Sequence, residues 1–404
     1  MTIGIIGGGA AGMAAALATS ENENATVVLM ERQARLGRKL AATGNGRCNL
    51  SNIHAAEGGY HGDEQGFHEY AISHFPPQET LEWFADLGLY TVTEASGKVY
   101  PYSDQANSVV DVLRFALDRE NIEVVTDFEV MRVRKNGDVF EVSAKDRTVI
   151  CEKLIIACGG LAGTKLGGSM SGYKLLRSFG HKCTKLRPAL VQVKTGWPGV
   201  SALKGVRANC HAAIYRDGKL HRESVGEIQF TEFGLSGPVI YEISRDACQG
   251  GGEWECVLDF LPDFRADRLM RPLMMKRNSN LTAEDLFTGI LHNRLGRVIV
   301  KEAGIRANTE IFHLYDDQLK DVIRLAKDFR VTLTEPLGMD AAQVTAGGIV
   351  TTEFDNTTME SRLVPGLYAC GEVLDVDGDC GGYNLQWAWS SGRLAGTNAG
   401  KETK

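Results

Sequence analysis

Residues 2–31 read TIGIIGGGAAGMAAALATSENENATVVLME, an order that predicts a short apolar strand, a glycine turn, a helix and a second strand ending in an acid. Within its GxGxxG pattern, Gly7 permits the tight turn, Gly9 lets the backbone approach a pyrophosphate, and Gly12 lets the helix pack on the strand. Glu31 follows Gly12 by 19 residues, where a carboxylate accepts hydrogen bonds from both ribose hydroxyls. A glycine turn alone also serves plain packing, but with the acid in this position the stretch predicts a dinucleotide site.

The bulk composition indicates a globular protein of more than one domain. The chain has 404 residues, of which 43% are hydrophobic and 24% charged, so two or three compact units are expected. A formal net charge of −7 argues against broad nonspecific binding of nucleic acid. No apolar run reaches the roughly 18 residues of a membrane span. The first core strand begins by Ile3, which leaves no room for a signal peptide, so we expect a cytoplasmic protein without membrane attachment.

The cysteines and histidines show no disulfide or metal-binding pattern. Nine cysteines, an odd number, are scattered without any CxxC pair, which is typical of reduced cytosolic thiols. The nine histidines include no pair spaced to hold a metal on one helical face. We therefore expect no metal site and no disulfide framework.

A basic loop without helical or strand periodicity runs from Gly37 to Asn49. Gly44 and Gly46 flank Asn45, which indicates backbone turned toward a ligand. Its cations are placed to oppose phosphate charge, although an ordinary solvated basic loop is the alternative interpretation. These cations are Arg38, Lys39 and Arg47.

The middle of the chain changes character twice. An apolar strand that ends in Cys158-Gly159-Gly160 closes the first part, and ligands of open α/β sheets bind at such carboxyl ends. From about Arg187, short strands with turn signals predict a β-barrel or sandwich over residues 187–264. Residues 265–330 then become helical and predict a small helical domain. Its predicted helices are Asp267–Met275, Ala283–Leu291 and Asp317–Asp328.

The C-terminal part repeats the logic of the opening motif. An apolar strand ending at Cys370 precedes Gly371-Glu372, an acidic loop from Asp375 to Asp379, Gly381-Gly382, and a helix from Tyr383 to about residue 398. The N-terminus of that helix offers free N–H groups and a partial positive charge to a second polar end of the ligand. Two helix N-termini on one ligand predict an extended dinucleotide.

The sequence resembles a family of bacterial flavoproteins related to the bile-acid reductase BaiN and to aminoacetone oxidase. The resemblance extends over nearly the whole chain and includes long, specific runs. The matching runs are residues 7–12, 37–52, 99–101, 226–244, 344–349 and 366–392.

The resemblance implies FAD bound by a discontinuous α/β, Rossmann-like domain formed by residues 1–186 and 331–404, with the barrel-like and helical domains inserted. It implies that the first glycine motif and Glu31 hold the ADP half and that the C-terminal strand and helix face the ribityl chain and flavin. The residues implied to bind the cofactor are Gly7, Gly9, Ala10, Ala11, Gly12, Glu31, Arg32, Arg38, Lys39, Gly44, Asn45, Gly46, Arg47, Cys48, Val130, Cys158, Gly159, Gly160, Gly371, Glu372, Asp377, Gly381, Gly382, Tyr383, Asn384 and Leu385.

Few residues qualify as candidates for the chemistry itself, since a flavin carries out hydride transfer and the protein positions the substrate and manages protons. The candidates are Arg47, Tyr100 and Tyr102, because the family places their stretches near the ring. Aromatic packing is the alternative role for both tyrosines. Cys48 is either a redox thiol or a buried structural cysteine.

Three activities are compatible with the resemblance. The first is reduction of a conjugated C=C bond in a small, possibly steroid-like substrate, with NADH or NADPH as a transient donor, because no second GxGxxG unit is present. The second is oxidation of a small amine such as aminoacetone by O2. The third is reduction of uridine in ribosomal RNA, which the net charge disfavours. We expect a small-molecule substrate, and the sequence leaves the oligomeric state open.

Overall fold

The computed structural model describes residues 1–401 and divides into two units, Met1–Arg187 with the segment from Gln343 onward, and Pro188–Ala342. In chain order the strands are β1 (Thr2–Ile6), β2 (Thr26–Met30), β3 (Ser51–Asn52), β4 (Tyr60–His61), β5 (Thr91–Thr93), β6 (Lys98–Pro101), β7 (Ile122–Val125), β8 (Arg132–Asn136), β9 (Val139–Ser143), β10 (Thr148–Cys151), β11 (Lys153–Ile156), β12 (Arg187–Ala189), β13 (Val193–Thr195), β14 (Arg207–Arg216), β15 (Lys219–Phe230), β16 (Gly234–Ser236), β17 (Trp254–Asp259), β18 (Phe329–Pro336), β19 (Val344–Ala346), β20 (Leu367–Ala369) and β21 (Asp377–Gly378). The helices are α1 (Ala10–Thr19), α2 (Glu69–His74), α3 (Pro77–Asp86), α4 (Ala106–Ala116), α5 (Ser171–Ser178), α6 (Pro238–Ser244), α7 (Ala266–Met275), α8 (Asn293–Glu302), α9 (Asp316–Lys327) and α10 (Tyr383–Gly400).

A five-stranded parallel sheet forms the centre of the first unit, with strand order β20-β11-β1-β2-β7. Strands β1, β2, β11 and β20 are buried along most of their length, as expected for a parallel sheet covered on both sides, whereas the edge strand β7 is partly exposed. Ile6 is in register with Met30 and Ile156, so β1, β2 and β11 end at one edge. The glycine turn, Glu31 and the Gly159-Gly160 pair follow these three ends, which confirms the predicted Rossmann-like arrangement.

Helix α10 packs against α1 through a stripe of glycines. A Cβ on Gly392 would lie 2.4 Å from the carbonyl oxygen of Ala11, and one on Gly396 would lie 2.3 Å from that of Ala15. Both contacts advance in the same direction, so the two helices run parallel. Nine residues precede Gly392 in α10 and one precedes Ala11 in α1, a difference of eight. At 1.5 Å per residue, α10 therefore begins about 12 Å before α1 along the shared axis.

Small antiparallel sheets complete the first unit. The predicted meander is present as β8, β9 and β10, and a three-stranded sheet has the order β3-β6-β5. Strand β21 pairs with β4, which ties the acidic loop to the segment after residue 59. The β3-β6-β5 sheet and the β21–β4 pair hold irregular segments near the N-terminus of α10.

The second unit contains a closed six-stranded barrel of order β13-β16-β15-β14-β17-β18, which confirms the predicted β-barrel. The observed extents of the barrel and the helices differ from the expected domains in two ways. Buried barrel residues such as Phe230 and Leu258 share one apolar core with Leu269 and Leu295 of the helices. Strand β18 closes the barrel, so the boundary expected at residue 331 falls inside a barrel strand. Closure requires the partner for β13 and β17 that only this late segment supplies.

The predicted helix over Ala283–Leu291 is wrong. Only a single 3-10 turn forms there, over Ala283–Asp285, and Gly289 has a φ of +83° that interrupts any helix. Helix α8 begins later, where the His292 ring nitrogen accepts a hydrogen bond from the backbone N–H of Arg294. The spacing of apolar residues in this segment is compatible both with a helix and with a turn that packs on α8. Periodicity alone therefore could not distinguish the two.

Candidate functional site

The first glycine turn borders an open space at one position and is tightly packed at two others. Gly7 has a φ of +113°, and a Cβ there would lie 2.4 Å from the carbonyl oxygen of Ala157. A Cβ on Gly12 would lie 1.8 Å from the carbonyl oxygen of Gly7. At Gly9, in contrast, a Cβ would meet no atom within 4 Å. Packing therefore requires glycine at positions 7 and 12. The absence of a side chain at Gly9 leaves an open space beside the start of α1, which we call the first cradle.

The carboxylate of Glu31 is fixed at the end of β2 by two backbone donors. The N–H of Gly8 donates to Oε2 at 2.7 Å, and the N–H of Gln33 donates to Oε1 at 2.8 Å. Each oxygen keeps a further lone pair, so the group can accept two more hydrogen bonds. The two hydroxyls of a ribose can donate these two hydrogen bonds.

The second cradle lies at the start of α10. Gly381 and Gly382 have φ values of +115° and +105°, and a Cβ on Gly382 would lie 2.2 Å from the carbonyl oxygen of Ser51. The side-chain amide of Asn384 holds the preceding turn, accepting from the N–H of Gly378 at 2.8 Å and donating to its carbonyl at 2.7 Å. No side-chain cap and no acid in the first turn is found on either α1 or α10, both of which are fully described. Both helix N-termini are thus available to negative groups.

An ion pair connects two of the predicted cofactor residues. Lys39 Nζ lies 2.7 Å from Oε2 of Glu372, and Oε1 of Glu372 accepts the N–H of Thr345 at 2.8 Å. A Cβ on Gly160 would lie 2.5 Å from that Oε1, so glycine is needed where the two strand ends converge. Gly159 resembles Gly9, because a Cβ there would meet no atom within 4 Å.

The loop 44–48 has the turned backbone that its glycines predict. Gly44, Asn45 and Gly46 have φ values of +57°, +56° and +86°. Cys48 is fully buried, and burial raises the pKa of its thiol to about 12. A buried thiol that stays protonated is a poor nucleophile, which favours the structural alternative for Cys48.

Two of the three candidates for chemistry lie together. The Arg47 guanidinium stacks 4.0 Å from the centre of the Tyr100 ring and pairs with Asp104 and Glu94. Tyr100 is 8% exposed, and burial together with the Glu94 carboxylate raises its pKa. Tyr102 is 78% exposed. The structure brings Arg47 and Tyr100 together and leaves Tyr102 at the surface.

The remaining predicted residues have mixed surroundings. Arg32 donates to the carbonyl of Gly167 at 2.5 Å, and Val130 is half-buried just before β8. Burial raises the pKa of Cys158 to about 12, and its thiol donates to the carbonyl of Ile6. Asp377 is buried in β21. Those that lie on the glycine turns and helix starts described above are Ala10, Ala11, Gly371, Tyr383 and Leu385.

Two buried polar residues that position the site were missed by sequence reasoning. The hydroxyl of Thr345 accepts the N–H groups of Leu161 and Ala162, each at 2.9 Å, and so fixes the loop after Gly160. The amide of Gln386 accepts from Ser51 and donates to the carbonyl of Phe75, which anchors the first turn of α10. Thr345 lies two residues before the Gly347-Gly348 pair, the one signal in the sequence that marked it.

Comparison with known proteins identifies the family. The model of the HI0933-like protein Rossmann domain matches residues 1–398. The chain belongs to this family. It is therefore an FAD-dependent oxidoreductase, which confirms the predicted resemblance and cofactor.

The chain is also similar to named proteins over its full length. It is 39% identical over 403 residues to a 3-dehydro-bile acid delta(4,6)-reductase of Clostridium scindens, covering 98% of each chain. It is 32% identical over 392 residues to a ribosomal RNA dihydrouridine synthase of Escherichia coli, covering 96% of this chain and 95% of that one. A 3-ketosteroid delta1-dehydrogenase from Sterolibacterium denitrificans shares the fold, with a TM-score of 0.53, 12% identity and 99% coverage of both chains.

The geometry fits an extended flavin dinucleotide. Three features are suited to contacts with such a ligand. They are the open positions at Gly9 and Gly159, the two uncapped helix N-termini and the fixed Glu31 carboxylate. The stagger of about 12 Å between the helix starts suits a ligand whose pyrophosphate and polar ring are separated by a linking chain. Within residues 1–401 no group of three or more His, Cys, Asp or Glu side chains could hold a metal ion, and no helix is long and apolar enough to span a membrane.

Proposed function

We propose that this protein reduces a conjugated C=C bond in a small, steroid-like substrate, using FAD and a hydride from NADH or NADPH. The observation that carries the proposal is the 39% identity over 98% of both chains to a reductase whose name specifies such a bond. Within residues 1–401 none of the nine cysteines forms a disulfide and several are fully buried, which supports a reducing compartment such as the bacterial cytoplasm.

The residues proposed to hold FAD fall into three groups. Gly9, with Ala10, Ala11 and Gly12 at the start of α1, and the Glu31 carboxylate receive the ADP half. The loop 44–48 and the Gly159-Gly160 and Gly371-Glu372 turns line its middle. Gly381 to Leu385 lie at the flavin end, where the partial positive charge of α10 stabilises negative charge. When bound, FAD would supply the hydride chemistry of the reaction, and these residues would hold and orient it.

Reduction of a C=C bond also requires a proton, and we assign its delivery to Tyr100. Burial raises the pKa of Tyr100, so its phenol remains protonated throughout the neutral range. Arg47 stacks on the ring and is itself held by Asp104 and Glu94, which fixes the orientation of the phenol. Replacing Tyr100 by Phe should slow substrate reduction while the rate of flavin reduction by the nicotinamide stays unchanged. Tyr102→Phe serves as the control, because that ring is exposed.

Anaerobic rapid mixing tests the proposal. The holoenzyme is mixed with NADH or NADPH, and the visible flavin absorbance should bleach. The reduced enzyme is then mixed with a 3-oxo-4,6-diene steroid, and the absorbance should return in the absence of oxygen. If neither NADH nor NADPH bleaches the flavin, the proposal that a nicotinamide supplies the hydride is wrong. Rapid reoxidation by air with peroxide release during turnover of a small amine supports an oxidase instead.

A second candidate is reduction of uridine in ribosomal RNA. The relative from Escherichia coli supports it, and so does the charge distribution, because residues 153–216 contain 11 Lys and Arg and no Asp or Glu. Five of these cations are exposed in the first unit, which suits contacts with a phosphate backbone. They are Lys165, Lys174, Arg177, Lys182 and Lys185.

Ribosomal RNA from a deletion strain distinguishes the two candidates. Loss of a dihydrouridine that is restored by the wild-type gene, but not by a Lys174→Glu and Arg177→Glu double variant, supports RNA as the substrate. Unchanged dihydrouridine in the deletion strain excludes it.

A further inference from the structure

A cleft of about 510 Å³ opens in the first unit between the segment after Glu31 and helix α4. Its volume is within the range of roughly 300–1,000 Å³ that is typical of small-molecule sites. Residues 33–41 form one wall and residues 107–114 form the other. Its polar lining consists of Gln33, Arg35, Arg38, Asn107, Asp111 and Arg114.

The lining of this cleft is strongly cationic. Within residues 1–401 it includes three guanidinium groups and one carboxylate, a formal charge of +2 in a chain of net charge −7. Arg114 pairs with Asp111 at 2.9 Å, and Nη1 of Arg38 donates to the side-chain oxygen of Gln33 at 2.9 Å. Arg35 and Arg38 are exposed toward solvent. Guanidinium groups in this number suit a phosphomonoester, which carries about −1.5 to −2 charges at neutral pH.

The arginine-bearing segment is held in place before any ligand binds. The N–H of Gly37 donates to the carbonyl of Gly8 at 2.9 Å, and the N–H of Ala41 donates to the carbonyl of Gly37 at 2.9 Å. Gly37 has a φ of +70°, and a Cβ there would lie 2.9 Å from Cγ1 of Val110 in α4. The segment is therefore clamped between the first glycine turn and α4, which lowers the entropic cost of ordering its side chains around an anion.

The cleft is distinct from the glycine cradles. Arg38 is the one lining residue that the resemblance implies for the cofactor, and none of the lining residues belongs to the turns at Gly9, Gly159 or Gly381 that form the cofactor cradle. Gln33 connects the two regions, because its N–H binds Glu31 while its side chain holds Arg38. A ligand in the cleft would therefore be a second phosphate-bearing molecule next to the ADP end of the cofactor site.

We propose that this cleft binds the 2′-phosphorylated adenosine of NADPH and so selects NADPH over NADH as the hydride donor. The inference rests on the proposed function, in which a nicotinamide supplies two electrons as a hydride and a proton completes addition across the C=C bond. In a chain with one GxGxxG unit, the 2′-phosphate would replace a second dinucleotide fold as the recognition element for the donor.

Calorimetric titration of the FAD-loaded enzyme tests binding without any turnover. Adenosine 2′,5′-bisphosphate should bind at least about tenfold more tightly than 5′-AMP, a difference of about 1.4 kcal/mol. Arg35→Gln and Arg114→Gln should each weaken the bisphosphate about tenfold and leave 5′-AMP and FAD content unchanged. Arg134→Gln, which removes the same charge from exposed β8, is the matched control and should change nothing.

The inference is overturned by equal affinity for the two nucleotides, by loss of FAD in Arg35→Gln, or by equal weakening in the Arg134→Gln control. Loss of FAD would assign the cleft to the cofactor itself. If inorganic phosphate at equal concentration displaces the bisphosphate completely, the cleft is a general anion site and the assignment to NADPH is wrong. If the bisphosphate binds as expected but NADPH fails to bleach the flavin, the cleft stands and the proposed function fails.

Discussion

Alanine at Gly9 and at Gly12 should have opposite consequences, although the two positions are three residues apart in one motif. At Gly12 the new Cβ would lie 1.8 Å from the carbonyl oxygen of Gly7, whereas real Cβ contacts essentially never fall below 3.0 Å. Helix α1 would have to retreat by at least about 1.2 Å, and its tight packing on Gly392 and Gly396 of α10 transmits that shift. Overpacking costs about 1–3 kcal/mol, and a Cβ this close to a backbone oxygen belongs at the upper end of that range.

At Gly9 the same substitution meets no atom within 4 Å, and φ is −84°, which alanine adopts freely. The apoprotein should lose at most about 1 kcal/mol, the usual size of an effect at a helix N-cap. The methyl group would instead occupy the cradle, so the dissociation constant of FAD should rise at least about tenfold.

Urea unfolding of the apoproteins and fluorescence titration with FAD measure the two effects separately. We expect Gly12→Ala to be strongly destabilised and Gly9→Ala to be nearly as stable as the wild type but deficient in FAD. If the Gly9→Ala variant binds FAD with wild-type affinity, FAD does not occupy the open space at Gly9. A Gly12→Ala apoprotein as stable as the wild type refutes the packing argument.

Three further changes probe the first unit. Lys39→Met leaves Glu372 without its cationic partner and, because the pair is partly exposed, should cost about 1 kcal/mol in urea unfolding, with Lys39→Arg as the control. Burial lowers the pKa of His181, so the folded state holds it neutral while the unfolded chain takes up a proton below about pH 6.5. The free energy of unfolding should therefore fall as the pH drops below that value, by up to about 1.4 kcal/mol per pH unit, and His181→Gln should flatten this slope; an unchanged slope contradicts the assignment. Gly396→Val should force α10 away from Ala15 and lower both thermal stability and FAD content, whereas a normal melting temperature would show that the helices tolerate the separation.

The sequence predicted those parts of the site that depend on local backbone. Glycine is needed at positions 7, 12 and 382 because a Cβ there would meet a backbone atom. Glycines required in this way form a pattern that is visible in the sequence. Glu31 was predictable for the same reason, because it directly follows a strand of the motif.

The sequence could not predict pairings between distant segments. Lys39 meets Glu372 across 333 residues, and Gln386 meets Ser51 across 335, with no local pattern that marks either partner. The late entry of β18 into the barrel has the same origin, since a strand's partner is set by closure of the sheet. The shared core of barrel and helices likewise depends on packing rather than on periodicity.

The most direct test of the account is a single-turnover experiment without oxygen. The FAD-loaded enzyme is reduced with one equivalent of NADPH and mixed with a 3-oxo-4,6-diene steroid, and the flavin absorbance and the steroid products are followed together. We expect reoxidation of the flavin at the rate at which one C=C bond is lost, with one steroid reduced per flavin. A flavin that stays reduced in the presence of the steroid, yet is reoxidised by uridine-containing ribosomal RNA, would contradict it.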